Sequence, residues 1–378
     1  MADARTQMAW NDMRFAIDAR LVSYIHGGTS RYTLSLVRAM AALGAAESLL
    51  VLEGRHPAGD SVWPDGVSRA RLYTPPHHRL EQLTLPLELL RLRPDLLHSP
   101  DFIPPFRRPC RSVITIHDLA FVRYPGLLTP ESANYYGQVR KAAESADTVI
   151  AVSEATRGDV VELLGTDPAK VTVVYEAAGE DCVPLDREEV ERNRAILELP
   201  RRFVLFVGTI EPRKNLPVLL KAYARVWKEH GVPLVIAGKK GWLYEEVFRA
   251  QDTLGLTDGV RFVGGVPGGQ LPYYYNAAEC LVLPSIYEGF GLPVLEAMAC
   301  GIPVVASNVS LLPEIAGDAG MLVDPEDPGA LADAISRVLS DEQLRGNLAR
   351  RGLERAAGFS WKRAAAETLA VYDRALGR

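Results

Sequence analysis

The chain has 378 residues, 48 % of them hydrophobic and 24 % charged, with a formal net charge of -5. That length is too great for one ordinary core and suits two domains. The acidic balance argues against a nucleic-acid partner, because phosphate binders usually carry a basic excess.

The N-terminal segment MADARTQMAWNDMRF is polar and has no apolar signal core. No run reaches the length of a membrane span. The most leucine-rich stretch, Leu83 to Leu97, is broken by Glu88, Arg91, Arg93 and Pro94. It reads as a helix packed on a sheet, with an amphipathic helix lying on a bilayer as the alternative. Four cysteines, Cys110, Cys182, Cys280 and Cys300, are scattered without a C-x-x-C pair. Cys280 and Cys300 sit inside apolar runs and read as buried free thiols, which fits a reducing cytoplasm.

Apolar, β-branched runs alternate with helix-length segments along the chain. Strands are predicted at Phe15–Ile17, Ser48–Leu52, Leu96–His98, Val113–Ile116, Thr148–Val152 and Val171–Val174. A second set is predicted at Phe203–Val207, Leu234–Ala237, Val260–Val263, Leu281–Leu283, Val304–Ala306 and Met321–Val323. Runs that are hydrophobic on both faces suit parallel strands covered by helices, and the segments between them make βαβ units. One such helix, Leu216 to His230, has Asn215 as a candidate cap, Pro217 in its first turn and Gly231 as its stop. The expected fold class is α/β, with two Rossmann-like doubly wound parallel-sheet domains facing a central cleft. The polar seam from Glu180 to Arg202 sets the expected boundaries: residues 1–185, completed by a C-terminal helix at 361–378, and residues 186–360.

Several loops carry chemistry. Gly27 and Gly28 stand between the first strand and a helix, where paired glycines allow close backbone approach to a ligand. His117 ends the strand VITI-H and has two readings. It is either a donor to a sugar hydroxyl and proton shuttle, or a hydrogen-bonded structural histidine. Asp118 would orient it or cap the next turn. His98 is read as structural and Ser153 as a helix N-cap. After the strand FVLFV, Arg213 and Lys214 form a candidate diphosphate clamp, an arginine fork beside a mobile ammonium. The glycine-rich loop 264–269, with Val266, lacks an expected following helix and reads as a turn near a nucleotide base.

The richest segment is PSIYEGFGLPVLEAMACG, 284–301. It runs from strand to glycine turn (Gly289, Phe290, Gly291, Leu292) to a helix led by Pro293. Such a turn aims backbone N–H groups and the positive end of the helix at one point, which suits an anion. Glu288 and Glu296 flank it; carboxylates accept from hydroxyls, so the implied ligand is a nucleotide sugar. There is no G-x-S-x-G elbow, Walker loop, dinucleotide fingerprint or zinc motif.

Together GGTSRYT, HDLAFVRYP, VSEATRGDV, GTIEPRKN and the 284–301 element resemble the retaining GT-B glycosyltransferases of family 4, the mannosyltransferase-like group, over nearly the whole chain. The resemblance implies the following roles. Arg213 and Lys214 hold the donor diphosphate, and Glu296 accepts from the ribose. Glu288 faces the donor sugar, and the backbone of Phe290, Gly291 and Leu292 contacts sugar and distal phosphate. His117 stands beside the donor sugar, while Gly27 and Gly28 approach the diphosphate and help define the acceptor site. No metal and no bound cofactor are implied. The donor would be a GDP- or UDP-linked hexose, mannose favoured, and the acceptor a saccharide or lipid-linked saccharide. The enzyme would work in the cytoplasm, with the inner face of the membrane as the alternative. Competing readings are a nucleotide-sugar 2-epimerase, a Rossmann oxidoreductase and a non-catalytic sensor.

Overall fold

A computed structural model describes residues 10, 12–22, 27–56, 62–78, 80–101, 103–127 and 135–378. Most of the polar N-terminal segment lies outside the described residues. The chain divides into two units, 1–176 with 360–378 and 177–359.

The first unit is built on a seven-stranded sheet: β1 (Phe15–Asp18), β2 (Leu49–Glu53), β3 (Ser68–Arg71), β4 (Leu96–Ser99), β5 (Arg111–Ile116), β6 (Thr148–Ala151) and β7 (Val171–Val173). Its order is β3-β2-β1-β4-β5-β6-β7, with every pairing parallel. β1, β2 and β4 are buried almost throughout, as two-sided hydrophobicity requires. One core layer contains Ile114, Ile116, Val149, Val160 and Leu164; another contains Leu50, Leu52, Leu85, Leu89 and Leu97. The terminal helix Trp361–Ala375 closes this sheet. Tyr372 is fully buried, donates or accepts at His98 Nδ1 over 2.7 Å, and meets Phe15 edge-on.

The leucine-rich segment forms the helix Glu81–Leu92 and then leaves it through Arg93 in a left-handed conformation. Leu85 and Leu89 pack into the core, while Leu83, Leu87 and Leu90 remain more than half exposed. One helix therefore presents an apolar stripe to each side.

The second unit has a six-stranded sheet: β8 (Val204–Val207), β9 (Leu234–Ala237), β10 (Val260–Gly264), β11 (Cys280–Leu283), β12 (Val304–Ser307) and β13 (Gly320–Val323). Its order is β10-β9-β8-β11-β12-β13, again all parallel. The helix Leu216–His230 covers one face and stops at left-handed Gly231. Asn215 does not cap it with its side chain. The Asn215 amide instead donates to the carbonyls of Pro284 and Pro325, because the residue itself is left-handed and turns its side chain across the sheet edge.

The boundary also differs from the expected 185/186. Val174 N–H still bonds Ala151 on the first sheet, and Glu176 pairs with His117. Leu185 N–H bonds Asn276, so the segment after Glu176 is held by the second unit.

Candidate functional site

In the second sheet β8 lies beside β11, with Cys280 opposite Val204 and Leu281 opposite Leu205. The strand order reverses between them, so loops leaving their carboxyl ends meet at the switch point where open α/β sheets bind ligands. The β8 loop passes through the 3-10 turn Pro212–Lys214; the β11 loop runs to the helix Leu292–Ala299. One backbone and one side-chain hydrogen bond lock the two together. Ile286 N–H donates to the Arg213 carbonyl over 2.9 Å, and Arg213 Nη1 donates to the Tyr287 carbonyl over 3.3 Å.

Glu288 is buried at the centre. It accepts from Lys214 Nζ over 2.5 Å, from Ser285 Oγ over 2.6 Å and from Arg213 Nη1 over 3.2 Å. Burial works against its charge, but Lys214 and Arg213 more than offset that, so its pKa is held below the ordinary carboxylate value. Lys214 is only 6 % exposed; burial pulls its pKa down while Glu288 opposes the shift. Glu211, also buried, pairs with Arg213 Nε, and burial raises its pKa. The outcome is a compact quartet of two acids and two cations.

Arg213 and Lys214 are paired with Glu211 and Glu288, because a buried ammonium without a counter-charge is too costly. Glu288 correspondingly grips cations, and an incoming anion would compete with it for the same N–H groups.

Glu296 sits apart, on the helix, 1 % exposed, accepting from the Tyr275 hydroxyl over 2.7 Å. Gly291 is the N-cap at φ 77°, and a side chain there would press to 3.0 Å from Leu312 Cδ2. Leu292 is the first helical residue, so its N–H is one of the orphan donors of the first turn. Pro293 follows at the second position rather than the first. Gly289 and Phe290 complete the turn, with Phe290 buried edge-on to Phe359. Ser310 Oγ donates to the Glu288 carbonyl over 2.9 Å and fixes the loop from outside. Val266 lies beyond the end of β10, separated from β8 by β9, and is half-buried. Contrary to expectation, a short helix, Leu271–Ala277, does follow its loop, with Pro272 in the first turn.

In the first unit, His117 follows β5. Its Nε2 lies 2.9 Å from the Pro100 carbonyl and its Nδ1 2.8 Å from Glu176 Oε1. A carbonyl only accepts, so Nε2 carries a proton; a carboxylate accepts from Nδ1. Burial opposes the imidazolium, but the bond to Glu176 prevails and the His117 pKa is raised. Both ring nitrogens are therefore spent, which corrects the reading of His117 as a ready donor or proton shuttle. Asp118 caps the next turn through Ala120 N–H. His98 is structural, bonded to Tyr372 and Thr115, its pKa pushed down to about 3 by burial and then by the charge of His117. Ser153 accepts from Thr156 N–H as an N-cap. Gly27 and Gly28 begin the helix Gly28–Met40. A side chain at Gly28 would meet nothing within 4 Å, so the fold itself does not demand glycine there. Sequence reasoning missed Glu176, Glu211, Ser285 and Tyr275. Only Glu211 and Ser285 lay inside motifs already singled out.

Residues 188–355 match the family model described as Glycosyl transferases group 1, and residues 26–177 match that of Glycosyltransferase Family 4. O-antigen chain mannosyltransferase B of Escherichia coli is 31 % identical over 382 residues, covering 95 % of this chain and 99 % of its own. A D-inositol 3-phosphate glycosyltransferase of Salinispora arenicola is 36 % identical over 287 residues, covering 70 % of this chain and 63 % of its own. Among solved structures, sucrose-phosphate synthase from Thermosynechococcus elongatus superposes with TM-score 0.77 at 25 % identity, covering 96 % of this chain and 98 % of that one.

Proposed function

Because the chain belongs to the family 4 glycosyltransferases of the GT-B fold, we propose that it moves a hexosyl group, mannose favoured, from a nucleoside-diphosphate sugar to a saccharide or lipid-linked saccharide, with retention of anomeric configuration. The observation that carries this reading is the ion-paired quartet of buried Glu211, Lys214 and Glu288 with half-buried Arg213 beside the Gly291 helix start, at the β8/β11 switch point.

Breaking the anomeric C–O bond leaves a nucleoside diphosphate anion and an oxocarbenium-like sugar. Lys214 is buried, and Arg213 is held by Glu211, Glu288 and the Tyr287 carbonyl, so both stabilise the leaving diphosphate with little reorganisation when charge develops. In the proposed sequence the diphosphate takes over the cations' N–H groups, and Glu288, released from them, accepts from hydroxyls of the donor sugar. Glu296, held by Tyr275, accepts from the ribose. The acceptor hydroxyl attacks from the face the diphosphate leaves, and the departing phosphate takes its proton. This scheme assigns no step to a metal and none to His117 Nε2; His117 is held by its bonds to Glu176 and the Pro100 carbonyl.

Family membership removes the oxidoreductase reading, and nothing in the quartet favours an epimerase. The donor base stands between GDP and UDP. The exposed stripe of Leu83, Leu87 and Leu90 supports a peripheral contact with the membrane bearing a lipid-linked acceptor. A mass-detected assay over GDP- and UDP-sugars tests the whole reading. Arg213→Ala or Glu296→Ala should lose about 10²–10³-fold in transfer; unchanged transfer in both would refute the assignments.

A further inference from the structure

β12 lies beside β11 in the second sheet, and the loop leaving its carboxyl end meets the loop that carries Glu288. In that β12 loop Ser310 has φ 58°. A residue with a side chain rarely adopts such a left-handed backbone; glycine takes it at lower cost. Strain of this kind persists only where the surroundings compensate it. The loop itself is well anchored. Asn308 N–H donates to the Val323 carbonyl on β13 over 2.8 Å, and Leu311 and Leu312 are fully buried.

The compensation is a two-sided grip on one residue. Ser310 Oγ accepts from the Glu288 N–H over 3.3 Å and donates to the Glu288 carbonyl over 2.9 Å. β11 ends at Leu283, so Glu288 has no strand partner, yet it is buried. Its backbone groups therefore need partners from elsewhere, and one hydroxyl supplies both. Glycine at 310 would remove the strain and both bonds with it.

The side chain of this pinned residue is the carboxylate shared by Lys214, Arg213 and Ser285. With its N–H and carbonyl both held, Glu288 can redirect that carboxylate only by turning its side-chain bonds. We propose that Ser310 is a positioning residue for Glu288. It keeps the carboxylate within reach of the donor sugar's hydroxyls once the diphosphate has displaced it from the cations. It thereby sets the grip on the sugar without adding to the grip on the nucleotide. The inference rests on the glycosyl-transfer reading and adds to it a residue outside the 284–301 element.

Two substitutions separate positioning from stability. Ser310→Gly and Ser310→Ala both delete the hydroxyl. Glycine relieves the left-handed backbone and alanine does not, so the glycine variant should unfold at the higher temperature of the two. Titration calorimetry of the full chain with GDP, UDP, GDP-mannose and UDP-glucose reads the site without any acceptor. Both variants should bind free nucleotide as the parent does, because Arg213, Lys214 and the Leu292 N–H are untouched. Both should bind the sugar nucleotide that the parent takes about 10-fold more weakly, the low end for one hydrogen bond to a charged group. The two losses should be equal despite the different stabilities. A loss that follows stability, larger in the alanine variant, would show a serine that only holds its loop and would overturn the proposal. Equal weakening of nucleotide and sugar nucleotide, or no weakening of either, would overturn it as well, and each leaves glycosyl transfer standing. A parent that takes neither sugar nucleotide fails before the variants are compared and refutes the transfer reading on which this one stands.

Discussion

Replacing Glu288 by glutamine tests the quartet most directly. The carboxylate is shared by Lys214, Arg213 and Ser285, and the lysine is almost wholly buried. Removing one partner of a buried ion pair costs about 3–5 kcal/mol. Glutamine keeps the shape and can still accept from Ser285, and Lys214 can shed its proton, so the lower end, about 3 kcal/mol, applies. For a unit of this size each kcal/mol moves the midpoint by about 2–4 °C, which gives a fall of about 6–12 °C in the second unit's transition. The deficit should depend on pH. Burial already lowers the Lys214 pKa, and loss of Glu288 lowers it further. Between the folded and the unfolded lysine pKa the unfolded chain binds more protons, so stability rises with pH in that window. The variant's deficit should therefore shrink as pH is raised from 7 towards 10. Addition of GDP or UDP should stabilise the variant more than the parent, because the diphosphate no longer competes with a carboxylate. Scanning calorimetry at pH 7 and 9.5, with and without nucleotide, reads all of this. An unchanged midpoint, a deficit that grows with pH, or a nucleotide shift confined to the parent would refute the reasoning.

The remaining expectations concern other parts of the molecule. The raised pKa of His117 makes its pairing with Glu176 fully stabilising below about pH 6.5, the ordinary histidine value, with the contribution lost as pH rises through the folded pKa. His117→Gln should thus be most destabilising near pH 6 and progressively less so above 7, in urea unfolding followed across that range. A constant difference would show that the histidine is neutral. Gly291→Ala forces a left-handed Cβ against Leu312 and should cost about 1–2 kcal/mol, together with weaker nucleotide binding by thermal shift; a variant as stable as the parent contradicts the geometry. Leu83→Glu with Leu87→Glu should abolish cosedimentation with anionic lipid vesicles, a loss of about 3 kcal/mol or roughly a hundredfold, while leaving transfer to a water-soluble acceptor intact.

Much of the fold was readable because its strands are buried on both faces and so announce themselves as apolar runs. β3 escaped for the opposite reason. Its sequence, SRAR, is largely exposed at the sheet edge, where backbone pairing to β2 and the Arg69–Glu53 ion pair hold it. The E-x7-E spacing and the cation pair were legible as motifs, but their relation was not. Glu288 reaches Lys214 across 74 residues because β8 and β11 become neighbours, and no local pattern encodes that adjacency. His117 was likewise visible while its partner, 59 residues on, was not.

The return of the 360–378 segment to the first sheet has a consequence for biosynthesis. Tyr32 packs on Trp361, and His98 and Phe15 pack on Tyr372, so the amino-terminal half cannot seal until that helix has been translated. Residues 177–359 must emerge first, which at about 5–20 residues per second means roughly 10–40 s with one side of the sheet uncovered. During that interval the nascent polypeptide offers its greasy flank to whatever holdase stands at the ribosomal exit.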